Sequence, residues 1–116
     1  MKQITTIDSN AYQSIYFITE DGIKLHFTLR FLSRNKTWSL NIESEKFNVN
    51  GISVLCAPNI LDKFHNLLTY GIMIKTEDGL DPWRVDDFDS GYASFYVLNK
   101  EELSQVTGFL NELQSD

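Results

Sequence analysis

Apolar and polar residues alternate without a break from Ile23 to Phe31. Successive side chains of an extended chain point to opposite faces, so this alternation places the apolar side chains on one face and the polar ones on the other. The pattern predicts a β-strand that is buried on one side. Its apolar positions are Ile23, Leu25, Phe27, Leu29 and Phe31.

Two further extended segments flank this strand. Ser14 to Thr19 precedes it, and Glu20-Asp21-Gly22 lies between the two and contains an Asp-Gly pair, which tolerates the positive φ of a tight hairpin. We therefore expect antiparallel pairing here, and a third strand that completes a meander. After a polar turn at 33–36, the alternation resumes with apolar residues at Trp38, Leu40 and Ile42.

The middle of the chain is less regular. A fourth extended piece around Phe47 to Val49 is expected to end in a turn formed by Asn50-Gly51. From Asn59 to Leu68 the apolar spacing fits either a helical turn or an irregular crossing. Tyr70 to Thr76 again has the composition of a strand.

Tyr92 to Leu98 is apolar or aromatic on both faces, which predicts a central strand covered on both sides. Asn99 then has the character of an N-cap, and Glu102 completes a capping box. This predicts a C-terminal helix at about 100–113 with one apolar stripe. We expect a single, mainly β domain over residues 1–116, folded as a small antiparallel β-barrel or sandwich with this helix.

Charge and composition argue against several classes of partner. The net charge is −6, and the ten Lys and Arg residues are scattered. Proteins that bind nucleic acids or anionic membranes usually present a basic surface, so neither partner is expected. No apolar run approaches the roughly 20 residues of a membrane-spanning helix. Cys56 is the single cysteine and the first residues carry no secretory apolar segment, which predicts synthesis in a reducing cytoplasm.

The residue types needed for catalysis are sparse. The chain has two histidines, His26 and His65, and no Gly-x-Ser-x-Gly motif accompanies them. One cysteine and two distant histidines cannot form a structural zinc site, and no glycine-rich phosphate-binding motif is present. We therefore predict no catalytic residues, no metal and no cofactor, in a protein that is not an enzyme.

Six carboxylates lie within the thirteen residues from Glu77 to Asp89. Calcium prefers oxygen ligands, but the spacing does not match an EF-hand loop. Two interpretations stay open: a small soluble ligand- or calcium-binding module that uses this loop, or a surface loop that docks on a basic protein partner. If the loop is a docking surface, Asp86 and Asp87 lie in solvent, and neutralising them would leave the stability of the fold almost unchanged. The residues assigned to docking are Asp78, Asp81, Trp83, Asp86 and Asp87.

Several stretches, taken in order, carry a family resemblance. They are Asn35–Ile42 with its tryptophan, Val49–Ile52, Ile72–Ile74 leading into Asp78–Pro82, Asp86–Phe88, and Ala93–Leu98 followed by Glu101-Glu102. Together they resemble the small baseplate plug proteins of contractile-tailed bacteriophages, a family described from cyanophage tails. Two features depart from that pattern: the segment Ser53 to Leu68 does not align, and the predicted helix extends beyond Glu102.

The resemblance implies a non-enzymatic virion component with a barrel-like or sandwich-like fold, placed near the tail axis of the baseplate. It implies contacts with hub, spike or tube proteins and assembly in the host cytoplasm, and it is compatible with a homo-oligomer. The alternative from another functional class is the ligand- or calcium-binding module described above.

Overall fold

The computed structural model describes residues 2–19, 22–45, 48–61, 70–99 and 101–102. In these ranges the chain forms seven β-strands, joined by turns and loops. The strands are β1 (Lys2–Ile4), β2 (Tyr12–Ile18), β3 (Lys24–Leu32), β4 (Thr37–Glu43), β5 (Asn48–Ser53), β6 (Gly71–Thr76) and β7 (Ala93–Leu98).

The strands form two antiparallel sheets. One has four strands in the order β2-β3-β4-β5, which confirms the predicted meander, and the other has three in the order β1-β7-β6. Strand β7 is therefore the central strand of its sheet, as predicted. The described strands do not close into a barrel, so the barrel alternative was wrong, and the mainly β prediction is confirmed.

The alternating residues of both sheets meet in one hydrophobic core. Phe27 of β3 lies 5.7 Å from Phe95 of β7, measured between ring centroids, and both side chains are almost fully buried. Trp38 of β4 packs between Phe31 and Phe88, with centroid distances of 5.4 and 5.6 Å. Burial of such large side chains is the main favourable contribution to folding.

The Asn50-Gly51 pair does not form the expected turn. Both residues lie inside β5, and Gly51 has a φ of 72°. The pairing of β4 with β5 shifts between Leu40 and Ile42, and the Gly51 N–H donates to the Asn41 side chain at 2.8 Å. Glycine here serves a bulge that bends the strand without ending it, because it adopts positive φ at little cost.

Two elements were missed or only partly predicted. Strand β1, which pairs with β7, is three residues long, too short to show a period of two. Ala57 forms an isolated bridge with Ile74, and the Ile60 N–H donates to the carbonyl of Ile72 at 2.8 Å, so residues 57–60 cover the outer edge of β6. Residues 62–69, which include most of the expected helical turn or crossing, lie outside the described residues.

The predicted capping box after β7 is present. The Glu102 N–H donates to Asn99 Oδ1 at 2.8 Å, and the Asn99 N–H donates to Glu102 Oε1 at 3.2 Å. Glu101 and Glu102 have helical backbone geometry. A C-terminal helix is not shown, because positions 100 and 103–113 of the helix predicted at about 100–113 lie outside the described residues.

Candidate functional site

The acidic segment forms a loop between β6 and β7, defined here as the 77–92 loop. Strand pairing between Thr76 and Ala93 brings its two ends together, and the Glu77 N–H donates to the carbonyl of Tyr92 at 3.0 Å. The loop therefore projects from the central and edge strands of the three-stranded sheet.

Asp87 organises this loop from the inside. Its side chain is 0 % exposed. One carboxylate oxygen accepts the N–H groups of Trp83 and Arg84 at 2.7 and 2.9 Å, and the other accepts Arg84 Nε at 2.7 Å. A buried carboxylate is tolerated because these charge-assisted bonds replace its hydration. The expectation that Asp87 lies on the surface was therefore wrong.

The loop is also attached to the sheets by aromatic residues. The Trp38 indole N–H donates to the carbonyl of Arg84 at 3.1 Å, which connects β4 to the loop. Phe88 packs against Trp38 and Phe95, with centroid distances of 5.6 and 6.4 Å. The hydrogen bond at Arg84 and the core packing of Phe88, on either side of Asp87 in the sequence, thus fix the backbone around Asp87.

On the outer side of the loop, three side chains form a layered stack. The Arg84 guanidinium carbon lies 4.8 Å from the ring centroid of Trp83 and 5.0 Å from that of Tyr92. Both are favourable cation–π distances. The hydrogen bond that Arg84 Nε donates to the Asp87 carboxylate holds the pKa of Arg84 above its ordinary value, so the cation is permanent. Trp83 remains 45 % exposed.

Tyr92 joins this stack to Asp78. The Tyr92 hydroxyl donates to Asp78 Oδ1, which also accepts the N–H of Leu80 at 3.1 Å. The bond from Tyr92, and to a lesser extent that from Leu80, lowers the pKa of Asp78, while the same bond raises the pKa of Tyr92. Both groups therefore hold their ordinary charge states over a wide pH range.

The other acidic residues have separate surroundings. Asp81 accepts the N–H of Cys56 at 2.8 Å, and Asp89 accepts the hydroxyl of Ser9 at 2.7 Å. Asp86 has an exposed side chain. In the part of the chain that the structure describes, no group of three or more His, Cys, Asp or Glu side chains converges to hold a metal ion.

Of the five residues assigned to docking, four are exposed on this loop, and Asp78 and Trp83 are connected through Tyr92 and Arg84. Arg84 and Tyr92 were not among the residues predicted to form the site. One signal could have identified Arg84: it is the single basic residue between Lys75 and Lys100.

Comparison with protein families identifies the chain. The family model described as Cyanophage baseplate Pam3 plug gp18 matches residues 1–100. The chain belongs to this family. A search of curated proteins gave no match. Both sheets, the 77–92 loop and Asn99 lie inside the matched region, whereas Glu101, Glu102 and the residues after them lie beyond it.

Membership of the plug family confirms the resemblance drawn from the sequence. It places the protein in the tail of a phage virion and implies association with other baseplate or tail proteins. It also supports a structural role rather than an enzymatic one. Among the described residues, no helix is long and apolar enough to cross a membrane.

Proposed function

We propose that this protein is a non-enzymatic structural component of the baseplate, that it lies near the tail axis, and that it docks on a hub, spike or tube protein through the 77–92 loop. Assembly would take place in the host cytoplasm. Family membership supports the baseplate role, and the loop geometry supports the choice of docking surface.

The buried carboxylate of Asp87 is the observation that carries this proposal. It fixes the backbone of Trp83 and Arg84, so the exposed side chains above it are held in place before a partner arrives. Binding through a preorganised surface loses less conformational entropy than binding through a mobile loop. Tryptophan, tyrosine and arginine are also the residues that dominate binding energy in protein interfaces.

The charges around the stack indicate the chemistry of the partner. Asp78, Asp81 and Asp86 are exposed on the same loop as Trp83 and Arg84. Carboxylates at the rim of an interface mainly steer encounter and fix orientation, and they favour a basic surface opposite. We therefore expect the partner to offer an apolar pocket for Trp83, surrounded by lysine or arginine side chains.

The calcium- or ligand-binding alternative gains no support from the described residues. Asp78, Asp81 and Asp87 already accept hydrogen bonds from the protein, and their carboxylates serve different parts of the loop. A cation would have to displace these bonds before it could recruit several of the carboxylates together.

The proposal is tested by incorporation into tails. Phage lacking the native gene are complemented with the wild-type protein, with Trp83→Ala, or with Asp81→Asn/Asp86→Asn, and purified tails are quantified by mass spectrometry. Leu55→Ala serves as the control, because Leu55 is exposed to a similar degree, 44 %, outside the loop. We expect both loop variants to be depleted from tails while the control is retained.

Normal incorporation of well-folded loop variants would overturn the docking surface. Absence of the wild-type protein itself from intact tails would overturn the baseplate role. Loss of the Leu55→Ala variant to the same extent as Trp83→Ala would show that the effect is not specific to the loop.

A further inference from the structure

The outer edge of β2 is a row of backbone groups without a partner strand among the described residues. The Phe31 N–H donates to the carbonyl of Ala11, and the Thr19 N–H donates to the carbonyl of Ile23. Ala11 and Thr19, the odd-numbered residues on either side of β2, therefore bond toward β3. Bonding alternates along an antiparallel strand. The even-numbered residues of β2 therefore direct their N–H and C=O groups to the open edge.

The other sheet edges are each protected in a recognisable way. Strand β1 is only three residues long, the edge of β6 is covered by residues 57–60, and β5 is bent by the bulge at Gly51. Short edges, covered edges and bulges are the usual means by which sheets avoid unwanted pairing. Strand β2 has seven residues, a continuous register with β3 and no charged side chain or proline.

The same even-numbered positions also expose apolar side chains. Tyr12, Tyr16 and Ile18 are 66, 80 and 62 % exposed on the outer face of the four-stranded sheet. Tyr16 is held in position by stacking on His26, at a ring-centroid distance of 4.5 Å. The open edge thus combines backbone groups that have no partner strand in the described part of the chain with an ordered apolar row, a surface that suits another strand.

We propose that β2 pairs antiparallel with β2 of a second copy of this chain, which makes a two-fold dimer with a continuous eight-stranded sheet. With Ile15 on the axis, the strands overlap over their full length. Tyr12 then faces Ile18 of the second copy, an aromatic and β-branched pair of the kind that stabilises sheets. Ser14 faces Tyr16 of the second copy, and its small side chain leaves room for the ring.

The uncharged sequence of β2 permits pairing with a second copy and offers a charged partner strand no ion pair. Because β2 is uncharged, self-pairing brings no like charges directly opposite each other, although each chain carries a net charge of −6. The contact is one strand wide and smaller than the roughly 1,600 Å² of a standard interface, so the dimer dissociates on dilution. It uses a different surface from the 77–92 loop and does not depend on the proposed docking function.

Amide hydrogen exchange measured by NMR on the purified full chain over a dilution series tests this pairing. In the dimer, the amides of Tyr12, Ser14, Tyr16 and Ile18 gain protection as concentration rises. The amides of Gln13, Ile15 and Phe17 bond toward β3, so they are protected throughout and serve as the internal control. Sedimentation velocity over the same series shows a monomer–dimer equilibrium.

Two variants remove the pairing and leave the internal sheet intact. Ser14→Pro deletes an N–H that points to the open edge, a position where proline is tolerated. The two-fold axis places this N–H in both copies, so the substitution removes two hydrogen bonds between the chains. We therefore expect the dimer dissociation constant to rise by about tenfold or more. Ser14→Lys introduces a charge at the edge without changing the backbone, and it is also expected to raise the dissociation constant. Ser53→Lys, on the opposite edge of the same sheet, leaves the equilibrium unchanged.

Three results would overturn the proposal. The chain could sediment as a monomer throughout, with exchange of the even-numbered amides independent of concentration. Dimerisation could persist unchanged in both Ser14 variants. Protection of the β2 edge could occur only when another tail protein is added, which would assign the edge to a different partner.

Discussion

Asp87 holds Arg84 by two groups at once, accepting its backbone N–H at 2.9 Å and its Nε at 2.7 Å. Arg84 consequently spans the boundary between the interior and the surface: its main chain is fixed from below, and its guanidinium lies between two aromatic rings outside. Asp87, which was predicted to lie on the surface, is therefore buried and holds the exposed residues Trp83 and Arg84 in position.

Replacing Asp87 tests this arrangement. Asp87→Ala leaves three donors without their acceptor in the loop, and we expect the free energy of unfolding to fall by about 3 kcal/mol. Chemical denaturation measures the change. Asp86→Asn is the matched control, because its exposed side chain should alter stability by less than about 0.5 kcal/mol. Equal effects from the two variants would contradict the structural role of Asp87.

Trp38 tests the connection between the loop and the core. Trp38→Ala removes a fully buried side chain, and we expect a loss of about 3 to 5 kcal/mol from the cavity. Trp38→Phe keeps a ring but removes the N–H that donates to Arg84, so a smaller loss is expected. Urea denaturation of both variants measures the two losses, and the difference between them is the packing that the phenylalanine ring retains. If Trp38→Phe were as damaging as Trp38→Ala, the hydrogen bond would outweigh the packing.

Much of the fold could be predicted because its signals are local. The alternation in β3 and β4, the Asn99–Glu102 capping box and the aromatic character of β7 each depend on neighbouring residues. Burial of Asp87 could not be predicted in this way, because its hydrogen bonds gain their value only when Phe88 and Trp38 bury the loop. The exposure of Asp78 and Trp83 was expected, whereas the stacking of Arg84 and Tyr92 depends on the path of the loop.

The bulge in β5 predicts an effect of substitution at Gly51. An added Cβ would meet nothing within 4 Å, so the cost of Gly51→Ala is conformational and comes from its φ of 72°. We expect a loss of about 1 to 2 kcal/mol, measured by thermal denaturation. Asn50→Ala, at the adjacent exposed position, is the control and should cost much less. An unchanged melting temperature in Gly51→Ala would contradict the positive φ.

The bond between Tyr92 and Asp78 predicts a pH-dependent contribution to stability. The pKa of Asp78 is lowered in the folded state, chiefly by this bond, so its contribution is present above the ordinary value of 3.8 and is lost as the pH falls through the folded pKa. The pKa of Tyr92 is raised by the same bond, so its contribution is present below 10.0 and is lost as the pH rises through the folded pKa.

Tyr92→Phe removes both contributions together. We expect its melting temperature to lie below that of the wild type near neutral pH, and the difference between the two proteins to shrink at both acidic and strongly alkaline pH. Thermal melts across the pH range measure this difference. Tyr12→Phe, which alters an exposed hydroxyl on β2, is the control and should run parallel to the wild type. A Tyr92→Phe curve that also runs parallel to the wild type would show that the bond contributes nothing to stability.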